Sequence, residues 1–285
     1  MTGATGFLGS NLLKKLIHSK YNVIILKRSF SNTFRIINLI NQIKHYNIDK
    51  NNLEDIFIEN KIDIILHCAT NYGRREIDPA SLIQANLIIP LQLLELGKKN
   101  GVSCFINTDT ILDKRVSHYS LSKNQFRDWL ELYAQELICI NVALEHFYGP
   151  HDDDSKFVPY IIKSILNNAK KMNLTQGKQK RDFIYIDDVV SAFIKIIKNV
   201  GKFKNGFLNY EIGTGTSVEI QKFVKLVKKI AENNCTILNF GALPYRENEV
   251  MNSRANITEI CKLKWEPKVT LEKGLQRTIS MEKDG

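Results

Sequence analysis

Up to about residue 145 the chain alternates short apolar runs with longer segments whose hydrophobic positions recur every three or four residues. The runs 22–27 (NVIILK), 44–48, 62–68, 103–107 and 139–144 predict β-strands, and 8–19, 79–100 and 120–136 predict amphipathic helices. Strand and helix in strict alternation predict a parallel sheet covered on both faces, an α/β doubly wound architecture. Past residue 150 the alternation is less regular and predicts a smaller C-terminal α/β lobe. The expected division is a nucleotide-binding domain over 1–150, to which 181–215 returns, and a substrate lobe over 151–285.

Gly3, Gly6 and Gly9 in TGATGFLGS (2–10) are spaced GxxGxxG just ahead of the first helix. Glycines there permit a tight turn and close approach of backbone N–H groups to a pyrophosphate at a helix N-terminus. This is the Rossmann-type dinucleotide arrangement, and it makes Gly3, Thr5, Gly6, Phe7, Leu8 and Gly9 cofactor candidates. A hydrophobic strand should precede such a turn, yet only Met1 and Thr2 do. The expectation is that the first strand is largely missing and that the native start lies further upstream. The strand over 22–27 ends in Lys27, Arg28 and Ser29 rather than an acid. Two cations and a hydroxyl suit a ribose 2′-phosphate, which favours NADP(H) over NAD(H). Asp49 is a candidate adenine contact, and Cys68, Ala69 and Thr70 in HCAT (67–70) are expected beneath the nicotinamide.

Tyr119 and Lys123 in SHYSLSK (117–123) are four apart and share one helix face. An ammonium one turn from a phenol favours the phenolate, which makes tyrosine a usable acid–base group near neutrality. Both residues are therefore candidates for catalysis and for holding the nucleotide. An ordinary exposed pair has the same spacing; the glycine turn in the same chain is what favours chemistry. Asn71, Tyr72 and Arg74 follow the cofactor loop and are candidates to face the substrate.

Composition changes the picture little. The formal charge is +10, but lysines spread over the wet faces of helices, as in KFVKLVKKIAENN (222–234), do not make a nucleic-acid stripe. No apolar run is read as long enough to span a membrane, and no signal peptide is visible, so a cytoplasmic protein is expected. The five scattered cysteines are read as reduced core residues, and Asp152-Asp153-Asp154 as a solvated loop, so no metal is expected.

These motifs in this order resemble the extended short-chain dehydrogenase/reductases that act on nucleotide sugars. TGATGFLGS, Asn86 in IQANLIIPLQLLELGKK, SHYSLSK, EHFYGP (145–150), RDFIYIDDVVSAF (181–193) and YEIGTGTSVEI (210–220) carry the resemblance. HCATNYGR (67–74), FINTDT (105–110) and GALPYRENEVM (241–251) are similar to the 4-ketoreductases of deoxyhexose nucleotides, of the CDP-abequose synthase type. The resemblance implies a hydride delivered to C4 of a 4-keto-6-deoxyhexose nucleotide, with Tyr119 as proton donor and Thr108 or Thr110 binding the same oxygen. It adds Asn86 to the cofactor candidates. It also implies a homodimer and a place in polysaccharide biosynthesis. Dehydratases of the family carry Thr-Asp-Glu where this chain has Thr108-Asp109-Thr110, so the glutamate is absent and reduction is favoured. An epimerase with retained NAD and a non-catalytic dinucleotide sensor stay open. For the nucleotide sugar, Arg246 and Arg181 are diphosphate candidates, with a surface salt bridge to Glu247 or Asp182 as the competing role. His146 and Tyr148 are candidates for lining the sugar pocket.

Overall fold

The computed structural model describes residues 1–73 and 78–283. In chain order its first elements are α1 (Phe7–His18), β1 (Ile25–Lys27), β2 (His45–Asn47), α2 (Leu53–Glu59), β3 (Ile64–His67), α3 (Pro79–Ile83), a π-helical turn (Gln84–Ile88) and α4 (Ile89–Lys99). β4 (Cys104–Thr110), α5 (His118–Tyr133), β5 (Ile138–Leu144), β6 (His146–Tyr148), α6 (Phe157–Leu166), β7 (Lys171–Leu174), β8 (Lys180–Arg181) and β9 (Phe183–Tyr185) follow. α7 (Ile186–Asn199), β10 (Gly206–Ile212), β11 (Val218–Glu219), α8 (Ile220–Ile230), β12 (Ile237–Phe240), α9 (Thr258–Cys261) and α10 (Leu271–Lys283) complete the chain. Two units result, one of Met1–Ala143 with Ala192–Tyr210, the other of Leu144–Ser191 with Glu211–Gly285.

In the first unit β1 pairs β2, and β3 pairs β4, both in parallel. The strands β10-β5-β4-β3 are neighbours in that order. Thr2 joins the two groups by one parallel bridge to Leu26 and another to His67. The lane where the sequence lacks a strand is thus held by two residues: Met1 accepts from the Leu26 N–H (2.8 Å) and Thr2 donates to Leu66 (3.0 Å). One face of the sheet packs Leu26, Ile65, Phe105 and Cys139 against Ile56, Leu93, Leu94, Phe126 and Leu130 of α2, α4 and α5. The other packs Ile25 against Leu13 of α1 and Ile36. Neighbouring residues Ile25 and Leu26 serve opposite faces, as strand alternation requires. Helices therefore cover both faces, as the alternating pattern predicts.

The helix predicted over 79–100 is interrupted by its π-helical turn for a reason visible in the sequence. Pro90 has no N–H to give to residue 86, and its ring crowds that carbonyl; widening the preceding turn relieves the clash. Contrary to the sequence reading, Pro79–Lys99 is long and apolar enough by length and composition to cross a membrane. In this unit it buries Leu82, Asn86, Leu93 and Leu94, with Leu93 and Leu94 in the sheet core. The cysteines also correct expectation. Cys104 and Cys139 are buried and Cys68 is half-buried, but Cys235 and Cys261 are exposed. Cys235 lies in the turn before β12, and Cys261 ends a four-residue helix that buries only Ile260.

The second unit holds three two-stranded pairings: β6 with β9 and β7 with β12 in parallel, and β8 with β11 antiparallel. Phe183 stacks on Phe223 of α8 with ring centroids 4.1 Å apart. Asp182 is buried and accepts from the N–H groups of Thr214 (2.8 Å) and Gly215 (2.9 Å) and from the Thr214 hydroxyl (2.6 Å). It shapes the loop after β10, which explains the RDF…GTGT pairing in the sequence.

Candidate active site

The glycine turn is as tight as its spacing suggests. Gly3 has φ +69°, and a Cβ on it would lie 2.4 Å from the Cys68 carbonyl carbon. A Cβ on Gly9 would lie 2.0 Å from the Gly3 oxygen. Only glycine fits either position. Gly6 then caps α1 with extended backbone, no side-chain hydrogen bond and no acid in the first turn. The side chains of Phe7 and Leu8 are buried, so those residues can meet a ligand only through backbone N–H groups. Such a helix start fits a pyrophosphate. Thr2 secures the turn from behind: its hydroxyl accepts from the N–H groups of Cys68 (3.2 Å) and Ala69 (3.1 Å) and meets His67 Nδ1 at 2.9 Å. This brings the glycines and HCAT together. Burial pushes the Cys68 thiol up to about 12, so it is no nucleophile.

α5 begins with a capping box between Ser117 and Ser120 and presents Tyr119, Lys123 and Arg127 at successive turns. The Tyr119 ring lies 5.0 Å from the half-exposed ring of Tyr72. Lys123 is buried, and its Nζ has no hydrogen-bond partner among the described residues. Burial pushes its pKa down, with the Asp109 carboxylate opposing the shift. A buried ammonium without a partner is costly, and the hydroxyls of a bound ribose would supply one.

Asn86, a cofactor candidate, is fully buried and ties two segments of the chain together. Its amide donates to the Asn71 carbonyl (2.8 Å) and Ser122 hydroxyl (3.0 Å), and its oxygen accepts from the Asn71 N–H (2.8 Å). Ser122 in turn donates to the Tyr119 carbonyl (2.8 Å). One buried asparagine thus clamps the loop after β3 to the helix that carries the tyrosine. The Asn71 side chain is also used locally, accepting from Gly73 N–H at 2.9 Å. Arg74 lies outside the described residues.

Along β4, Thr108 and Thr110 share one face and Asp109 takes the other. The Thr110 hydroxyl accepts from Leu112 N–H at 3.2 Å. Asp109 is buried, accepting from Arg127 Nε (2.7 Å), Asn141 (2.9 Å) and Thr110 N–H (2.7 Å). Its oxygens are all engaged. At the end of β1, Lys27 donates to Asn47 (2.7 Å) and Arg28 lies over the Phe30 ring (4.8 Å). The N–H (2.7 Å) and hydroxyl (2.5 Å) of Ser29 both go to Asp49. The Ser29 hydroxyl holds the Asp49 carboxyl below its usual range. Asp49 therefore stands with Lys27, Arg28 and Ser29 at the end of β1.

The remaining candidates belong to the second unit. Arg181 pairs with Glu249 and donates to the Val250 carbonyl, so its acidic partner is not the neighbouring Asp182. Arg246 is exposed. His146 meets Glu145 at 2.8 Å. Tyr148 is a core residue, with its hydroxyl on the Leu271 carbonyl (3.2 Å) and its ring against Tyr185. Sequence reasoning met Asp109 only as part of the Thr-Asp-Thr triplet, and missed Arg127, Asn141 and the Thr2–His67 contact. Of those three, Arg127 carried a signal, standing four residues after Lys123.

Residues 1–213 match the NAD dependent epimerase/dehydratase family. The chain is 37% identical to CDP-abequose synthase of Salmonella muenchen, over 99% of this chain and 96% of the relative. Among solved structures, UDP-glucose 4-epimerase of Thermotoga maritima with UDP-glucose superposes with TM-score 0.86 at 27% identity, covering 99% of this chain and 97% of that one. UDP-glucuronic acid 4-epimerase of Bacillus cereus, in complex with UDP-glucuronic acid and NAD, shares the fold with TM-score 0.87 at 23% identity, covering 99% and 98%.

Proposed function

This chain belongs to the NAD dependent epimerase/dehydratase family, and from that premise we propose that it is an NAD(P)H-dependent reductase of a nucleotide-linked 4-keto-6-deoxyhexose. The observation that carries the reading is the fate of Asp109. Dehydration needs an acid–base group beyond the tyrosine. Here the one acid of the Thr-Asp-Thr triplet is buried and fully hydrogen-bonded to Arg127, Asn141 and Thr110. That leaves Tyr119, above the buried cation of Lys123, as the proton donor. The likeness to CDP-abequose synthase supports CDP as the carrier nucleotide.

The chemistry that a bound nicotinamide supplies is hydride transfer. Tyr119 protonates the oxygen at C4 as it gains charge, and Lys123 stabilises the phenolate left behind. The hydroxyl of Thr108 or Thr110 binds the same oxygen. The N–H groups at the start of α1 take the pyrophosphate. Arg28 supports a 2′-phosphate, hence NADPH. Exposed Trp129 and Leu132 on α5 support a homodimer through this helix.

A second reading, a 4-epimerase with retained NAD, is favoured by one observation. Asp49 takes both donors of Ser29, and a carboxylate there suits a free ribose hydroxyl better than a phosphate. The two are separated by mixing the purified protein with CDP-, dTDP- and GDP-linked 4-keto-6-deoxyhexoses and NADPH or NADH. The reductase consumes reduced cofactor, fastest with the CDP sugar and NADPH. Stoichiometric nucleotide in the purified protein, with sugar turnover and no cofactor consumption, would overturn it.

A further inference from the structure

A row of polar side chains crosses the sheet of the first unit on the face covered by α5. Thr2, His67, Asn107, Asn141 and Asn209 occupy successive lanes. Thr2 meets His67 at 2.9 Å, Asn107 donates to Asn141 at 2.9 Å, and Asn141 donates to Asn209 at 2.8 Å. The row is hydrogen-bonded at every step but one, between His67 and Asn107. Those two are register partners on adjacent parallel strands, and both are fully buried.

The hydrogen bonds settle which atoms face that gap. The Thr2 hydroxyl already accepts from two backbone N–H groups, which uses both its lone pairs, so its proton goes to His67 Nδ1. The ring is then the neutral tautomer with its proton on Nε2. Asn141 gives its amide to the Asp109 carboxylate, so its oxygen faces Asn107, and the Asn107 amide must point that way. The Asn107 oxygen is left on the side of β3. His67 Nε2, Asn107 Oδ1 and Lys123 Nζ are three buried polar atoms with no partner among the described residues. One is a neutral donor, one an acceptor and one a cationic donor. Phe126, one turn after Lys123 on α5, packs 6.1 Å from the His67 ring and 5.7 Å from Phe105, which stands two residues before Asn107 on the same face of β4, so this stretch of α5 covers the His67–Asn107 step.

We propose that a single internal water molecule completes this row, accepting from His67 Nε2 and Lys123 Nζ and donating to Asn107 Oδ1. Buried waters make about three such bonds to groups that would otherwise be unsatisfied. A water here pairs each of the three atoms in its correct sense. It also ties the ammonium of α5 to the row that ends at the glycine turn. The inference holds whatever reaction the enzyme performs, because it concerns groups of the chain itself.

A crystal structure of the purified protein, refined far enough to place waters, is the test. The expected result is one ordered water at about 2.7–3.2 Å from both His67 Nε2 and Asn107 Oδ1. In Asn107→Leu that water should be lost. Nitrogen-15 NMR of the wild-type imidazole should report the neutral Nε2–H tautomer, a measurement that does not depend on any variant folding. A direct bond between His67 and Asn107 with no water would overturn the proposal. So would a proton found on Nδ1, or a water that keeps its place in Asn107→Leu.

Discussion

Two layers of side chains, two residues apart on the same strands, are equally buried and opposite in character. Ile65, Phe105 and Cys139 form one, packed against the helices of the core. His67, Asn107 and Asn141 form the next, each fully buried and each polar. Burial therefore does not distinguish core from site in this sheet; the step along the strand does. In open α/β sheets, ligands bind beyond the carboxyl ends of the strands. The polar layer lies on that side of the apolar one, and Thr2, Asn107, Asn141 and Asp109 link it to the glycine turn and to α5. The apolar layer supplies stability, while the polar layer fixes position at some cost in it.

The contrast breaks most visibly at the tyrosine. Tyr119→Phe should cut the rate of sugar-dependent NADPH oxidation by about 10²–10⁴-fold, the usual contribution of a general acid. The variant should still fold, because the ring and its contact with Tyr72 are retained. Wild-type turnover in this variant would remove Tyr119 from the mechanism. Ile65→Ala tests the other layer. Truncating this buried residue should cost about 2–5 kcal/mol in urea unfolding, while the folded fraction keeps its activity. A stable but inactive variant would show that the two layers are not separate in role.

What could be read from the sequence follows the same division. Periodicity located five strands and three helices before residue 145 within about three residues, because apolar burial leaves its period in the chain, but it gave no bounds for α2 or β10. The glycine turn and the Tyr119–Lys123 spacing were legible because each is a local device. The polar layer was not, because its bonds join residues such as Asn141 and Asn209, 68 apart, and depend on strand register. The partner of Arg181 was hidden for a like reason: it is Glu249, also 68 residues away, rather than a nearby acid. Tyr148 sits in a three-residue strand, too short for alternation to tell core from pocket. The bonds of Asn86 to Asn71 and Ser122 span 15 and 36 residues and leave no local pattern either.

The pH dependence of stability sharpens the comparison from the polar side. Burial holds the His67 pKa well below its ordinary 6.5, so the folded ring stays neutral. Below that pH the unfolded chain takes up a proton that the folded chain refuses. Stability should therefore fall as pH drops below about 6.5, by up to about 1.4 kcal/mol per unit from this residue alone, and be restored above it. In His67→Phe that part of the slope should vanish, even though the variant starts from lower stability for want of the Thr2 contact. Parallel slopes in urea titrations at several pH values would mean that His67 is charged in the folded state or exposed.

The smallest effect is expected at the outer end of the row. Asn209 is exposed on β10, and its oxygen accepts from the Asn141 amide. In Asn209→Ala water can replace that acceptor, and Asn141 keeps its bonds to Asp109 and Asn107. The loss in urea unfolding should be about 0.5 kcal/mol or less, as for surface substitutions generally. Chains of hydrogen bonds can strengthen one another, however, in which case removing an end weakens the whole. A loss above about 2 kcal/mol, larger than a single net hydrogen bond provides, would show that the row from Thr2 to Asn209 acts as one unit. The polar layer would then be a structural element of the sheet in its own right, and not only scaffolding for Lys123.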